Sequence, residues 1–139
     1  GEKMGGYIKT YLVALVIFLV IDFFWLGLVA KNMYRDKLGF LLKENYNMIA
    51  ALTFYMVYIV GLVYFVVSKA VNTCSWQYAL FAGIFFGVIT YATYDRTNLA
   101  TIKDWPISIT VIDIIWGGTL NGLTSLLSYY IATSFNFLV

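Results

Sequence analysis

The sequence predicts an all-α integral membrane protein, a four-transmembrane-helix bundle, on three observations. The chain of 139 residues is 62% hydrophobic and only 12% charged, against about 25% charged in a typical soluble domain. A globule of that length has too little interior to hide so much apolar surface, whereas a bilayer hides it readily. Four segments are long and apolar enough to cross, at about 20 residues per helix, and no hydrophilic stretch between them suffices for a second domain. Residues 1–139 therefore read as a single membrane domain.

The first span covers about 7–30. Asp22 interrupts its apolar run and Leu28-Val29-Ala30 is a poor cleavage site, so it reads as a retained helix rather than a signal peptide, with Met4 as the native start. The second span covers about 47–68, the third about 76–94 and the fourth about 106–131, where Pro106 suits the first helical turn. Between the first two spans, Tyr34, Leu38, Leu41 and Leu42 fall at helical spacing, with Arg35, Asp36, Lys37, Lys43 and Glu44 on the other faces. That pattern predicts a short helix lying in the interface. Tyr7, Tyr46, Trp76 and Trp105 fall near span ends, where amphipathic rings favour the headgroup layer.

Orientation follows from the basic residues of the short loops. Lys31, Arg35, Lys37 and Lys43 lie in the first loop and Arg96 and Lys103 in the third, against Lys3, Lys9 and Lys69 on the other side. The bias puts both termini outside and the first and third loops in the cytoplasm.

The net charge of +2 and the lack of an extended basic patch argue against nucleic acid as a partner. One cysteine rules out an internal disulfide. With no histidine, the usual imidazole-bound metals and imidazole-assisted nucleophiles are disfavoured. No metal and no cofactor is expected, and any chemistry must rest on Asp, Glu, Tyr, Lys or Arg.

One motif is written twice. VIDFFWLG runs from Val20 to Gly27 and VIDIIWGG from Val111 to Gly118. Asp22 and Asp113 are the acidic residues well inside the expected spans, where a carboxylate costs about 2.5–3.5 kcal/mol on insertion scales. Each lies nine residues from the nearest loop charge on the same side, Lys31 or Asp104, hence roughly 13 Å along the helix. The first and fourth helices are antiparallel, so the two carboxyls share one depth. Facing carboxyls do not both ionise readily and would share a proton. Trp25 and Trp116 each follow their aspartate by three residues, on the same helix face. The expected site is therefore Asp22, Asp113, Trp25 and Trp116, with indole N–H groups bracketing the acids. A plain carboxyl clamp between two helices is the alternative.

Along the fourth span Thr110, Asp113, Gly117, Asn121, Thr124 and Ser128 fall on one face, over roughly 27 Å. Such a stripe lines a path or packs against a neighbour, and Gly83, Gly87 and Thr90 of the third span offer a matching surface. Packing is the favoured reading, with Asn121 kept as a binding candidate. Asp95, Arg96, Asn98 and Asp104, in the segment leading to Pro106, are expected to form a polar rim at the same end as the aspartates.

IDFFWLG with LVAKNMYRDKLG, YATYD with TNLATI, then WP and IDIIWGG together resemble a bacterial family of predicted membrane proteins, domain of unknown function 2177. The resemblance spans nearly the whole chain. It implies a four-span protein of the bacterial inner (cytoplasmic) membrane and no established activity.

Three functions fit these residues. The first is a small proton- or cation-coupled transporter or permeation protein using the buried aspartates. It would act on a small cationic or lipidic ligand, and its thin wall of helices would call for a homodimer. The second is a membrane-embedded aspartyl enzyme acting on a lipid or lipoprotein. Here Asp95-Arg96 and Trp105-Pro106 ahead of Asp113 are distantly similar to lipoprotein signal peptidase. The asparagine-rich motifs of that peptidase are absent, and the charge bias puts the loop on the opposite side. The third is a non-catalytic scaffold or accessory subunit. Transport is the favoured expectation, and whether the chain is an enzyme is left open by the sequence.

Overall fold

The computed structural model describes residues 2–29 and 48–138, and among them every element is helical. Helix α1 spans Glu2–Phe24 and runs on through a π-helical turn, Trp25–Val29. Helix α2, Met48–Leu62, passes through a second π turn, Val63–Val67, into the short α3, Ser68–Asn72. Helix α4 spans Trp76–Thr101 and α5 spans Ile107–Ser134. Four helical stretches are long and apolar enough to cross a membrane: Met4–Leu28, Leu52–Asn72, Trp76–Thr101 and Ile107–Ser134. The interfacial helix expected around Tyr34 to Leu42 lies outside the described residues.

The helix ends are set by local chemistry. Ser75 caps α4, its hydroxyl accepting from the Tyr78 N–H at 3.0 Å. The Pro106 carbonyl accepts the Ile109 and Thr110 N–H groups at the start of α5, so the proline sits just before the first turn. Helices α3 and α5 both close in paired bonds from beyond the helix, Ser75 N to the Ala70 carbonyl and Phe137 N to the Ala132 carbonyl. Cys74 and Asn136 take the left-handed backbone conformation that such caps require, with φ of 52° and 54°.

Helix α4 runs past the expected end at Tyr94 as far as Thr101. Nothing between these residues breaks a helix, and Thr93, Thr97 and Thr101 satisfy their hydroxyls by bonding carbonyls one turn back, at 2.7 Å each. The break comes at Asp104, with φ of 63°, ahead of Pro106. Consequently Asp95, Arg96 and Asn98 belong to a helix and not to a loop.

Among the described residues the tightest pairing is α4 against α5. Glycines permit it: a Cβ at Gly87 would stand 2.1 Å from the Gly117 carbonyl oxygen, and one at Gly83 would stand 2.7 Å from that of Asn121. Small residues at a helix crossing allow dispersion contacts that large side chains would prevent. The polar stripe of the fourth span is thus a packing face, with Thr110, Gly117, Asn121, Thr124 and Ser128 all buried.

Phe18, Ile59, Leu62, Val63 and Leu120 form the main apolar core, and Val67, Ala70, Ala79 and Ala132 a second one toward the chain termini. The outer surface is strongly apolar, and the interior holds polar groups. Phe23, Phe65, Phe81, Phe85 and Ile115 are exposed, while Thr10, Asp22, Asp95, Asn121, Thr124, Ser125 and Ser128 are buried. A water-soluble protein does not bear apolar surface on that scale. In a bilayer the same arrangement puts hydrocarbon against hydrocarbon and gathers polar groups inside, away from lipid.

Candidate functional site

The buried acids gather at one end of the bundle, where α1 and α4 finish and α5 begins. Asp22, on α1, is buried and has two donors from different helices. Trp116 Nε1 on α5 donates to one carboxyl oxygen at 3.1 Å, and the Tyr55 hydroxyl on α2 donates to the other at 3.4 Å. Trp25 lies flat on Trp116, with ring centroids 4.5 Å apart and planes 11° from parallel. The Trp25 indole N–H is buried without a partner among the described residues. The two indoles therefore act differently: Trp116 holds the carboxyl, and Trp25 backs the ring that holds it.

The second repeat aspartate, Asp113, lies within electrostatic reach of both Asp22 and Asp95, the latter on α4. Asp95 has no solvent exposure, and neither of its oxygens receives an N–H or O–H from a described donor. The charged side chain within its reach is another carboxyl, that of Asp113. Asp113 thus interacts with two acids, Asp22 and Asp95. Among the described residues no three acidic or thiol groups are grouped so as to hold a metal ion.

The remaining expected residues fall into place around these acids. Asn121 is fully buried one step further in. Its side-chain N–H donates to the Gly117 carbonyl at 2.7 Å and its oxygen accepts from the Tyr58 hydroxyl at 2.8 Å. That makes it a tie between α5 and α2, set apart from the acids. Asn98 is half-buried, and its side-chain nitrogen has no partner among the described residues. Arg96 and Asp104 are exposed. Trp105, expected as an interface anchor, donates to the Thr110 hydroxyl at 3.1 Å and meets Tyr94 edge-on, with centroids 6.5 Å apart.

Beside the acids lies a cavity of about 380 Å³ between α1, α2 and α4. Phe18, Phe54, Tyr55, Tyr58, Tyr91 and Tyr94 form its walls, with Thr90 between them. It exists because the first part of α2 packs on α1 while the π turn that follows is the part that meets α4 and α5. A π turn re-aims a helix, and here the upper part of α2 stands off from α4. Tyr91 is seated by the absence of a side chain at Gly117, where a Cβ would come 2.3 Å from its ring. Sequence reasoning passed over Tyr55, Tyr58 and Tyr91. The available signal was their position: a tyrosine in mid-span carries a hydroxyl that lipid cannot satisfy.

No curated protein and no solved structure matches the chain. Over residues 7–130 it matches the family described as predicted membrane protein (DUF2177). A match over that share of the chain, with the helices to accompany it, establishes that the chain belongs to this family of multi-pass membrane proteins.

Proposed function

We propose that this membrane protein is a small proton-coupled permeation protein, with Asp22, Asp113 and Asp95 as the relay. The supporting observation is that three helices each send an acid to one end of the bundle, with Asp113 in electrostatic reach of the other two and no exposure at Asp95. Buried acids within reach of one another can pass a proton without separating charge, as intramembrane proton relays require. Tyr55, donating to Asp22, extends the chain of exchangeable protons toward the cavity. The acid end faces the cytoplasm of a bacterial inner membrane in this reading, as the loop charges favour.

The test uses purified protein in liposomes loaded with a pH-sensitive dye, with a potassium gradient and valinomycin as the drive. Wild type should acidify the lumen faster than empty vesicles. Asp95→Asn keeps the size of the side chain and should reduce the rate to background while leaving helicity and monodispersity unchanged. Equal rates in wild-type and empty vesicles would overturn the reading, as would full flux through Asp95→Asn.

A second reading, a membrane-embedded aspartyl hydrolase, draws on the same Asp95–Asp113 pair, because two carboxyls sharing a proton can activate water. The complete burial of Asp95 favours the relay, since a hydrolase must admit water and substrate to both acids. Turnover of labelled phospholipid or lipopeptide by the purified protein, lost in Asp95→Asn, would reverse that order.

A further inference from the structure

Three features outside the acid relay invite a use: the aromatic cavity, the wider cleft at the opposite end, and the exposed Cys74. The opposite cleft, about 590 Å³, is shallow and bordered by Lys69 and Asn72, and nothing in it is buried and waiting for a partner. Cys74 is a lone exposed thiol on a turn. The aromatic cavity carries more.

We propose that the cavity between α1, α2 and α4 is a binding site for a lipophilic organic cation, held by ring faces and by the charge of Asp22 acting through Tyr55. This deepens the permeation reading, on which it rests, by giving the pathway a substrate class. Three observations support it. First, the volume of about 380 Å³ lies within the roughly 300–1,000 Å³ of small-molecule sites. Second, the wall is built of aromatic rings, and three of its hydroxyls are already engaged. The Tyr55 hydroxyl is engaged by Asp22, that of Tyr58 by Asn121, and that of Thr90 by the Phe86 carbonyl at 2.8 Å. A cation is attracted by the face of an aromatic ring. Third, a carboxyl lies behind the wall. Tyr55 touches Asp22, and Tyr91 lies within electrostatic reach of both Asp22 and Asp113.

The shape of the opening agrees with the ligand's character. Phe54 and Tyr94 stand at the rim with 63% and 61% of their surface exposed, on the outer, lipid-facing side of the bundle. A cation greasy enough to partition into the bilayer can enter between them without first crossing water. Behind them Phe18 contacts both Tyr55 and Tyr58 at 5.7 Å, closing the floor with another ring.

The experiment is equilibrium dialysis of radiolabelled tetraphenylphosphonium against detergent-solubilised protein, with no gradient. Its companion is tetraphenylborate, which has the same shape and the opposite charge. The expected result is saturable binding of the phosphonium, displaced by tetrabutylammonium, and no saturable binding of the borate. Tyr94→Leu and Phe54→Leu alter rim residues and should leave the fold intact while weakening binding roughly 2- to 30-fold each, the range of one cation–π contact. Asp22→Asn should weaken it further. Equal binding of the borate, or unchanged affinity in both rim variants, would overturn the assignment. The proton-flux assay uses no organic cation, so the two readings fail separately. Flux without phosphonium binding sinks the ligand assignment alone, and saturable binding without flux sustains the site while sinking the coupling.

Discussion

At the scale of single residues, Trp116 and Tyr58 make bonds whose loss can be measured. Trp116→Phe keeps the stacking on Trp25 but removes the N–H that serves Asp22. A buried acceptor deprived of its donor costs about 1–3 kcal/mol, so this variant should unfold at lower temperature in detergent than wild type. Tyr58→Phe removes the bond to Asn121 and should show a loss of the same order. If Trp116→Phe melts with wild type, the indole bond is not what holds Asp22. Asp95→Asn is expected to differ from both. Asn offers its own N–H to Asp113, so the fold should hold while proton movement stops, a separation of stability from flux that neither of the other substitutions gives.

At the scale of elements, the α4–α5 pair depends on backbone approach. Gly87→Ala drives a methyl against the Gly117 carbonyl at 2.1 Å, where neither partner is a flexible side-chain end. Overpacking of this kind costs about 1–3 kcal/mol or more, and the helices should separate enough to lower the melting temperature sharply. Gly27→Ala is the control, since a Cβ there meets nothing within 4 Å; it should match wild type. A melting curve for Gly87→Ala equal to that of Gly27→Ala would mean that the pair is not packed this closely in the membrane. The π turn at Val63–Val67 works at the same scale: it lets α2 serve the core with Leu62, Val63 and Val66 and yet stand off from α4 higher up.

For the whole molecule, the open question is which way the bundle faces, and its own chemistry supplies a reporter. Cys74 is the single cysteine of the sequence and is exposed on the turn between α3 and α4, at the end opposite the acids. Should the loop charges govern insertion, a membrane-impermeant maleimide will label Cys74 in intact spheroplasts. Labelling only after permeabilisation would put the acid end outside and reverse the direction of the relay. Lys9 over the ring of Phe137 and Lys69 over that of Tyr78, each 5.7 Å from the centroid, show how the few cations of that end lie across aromatic rings.

The sequence by itself determined the class of protein and the number of spans, because a helix in lipid must satisfy its backbone internally and announces itself as a long apolar run. It also singled out Asp22, Asp113, Trp25 and Trp116, since an acid in such a run is costly enough to stand out. What it left open was the full set of partners. The repeated motif pairs Asp22 with Asp113 and the segment after Tyr91 offers Asp95 as a further acid beside Asp113; the structure puts Asp113 within electrostatic reach of both and adds the bonds from Trp116 and Tyr55 to Asp22. That arrangement depends on α4 continuing past Tyr94 and on how far two glycine-faced helices can close, neither of which has a local signature. The cavity was hidden for the same reason: an aromatic in mid-span reads as core until the standing-off of α2 from α4 leaves its face open. Hydropathy is a property of each segment alone, whereas the meeting of side chains from four segments is set by their packing, and the tertiary structure decided it.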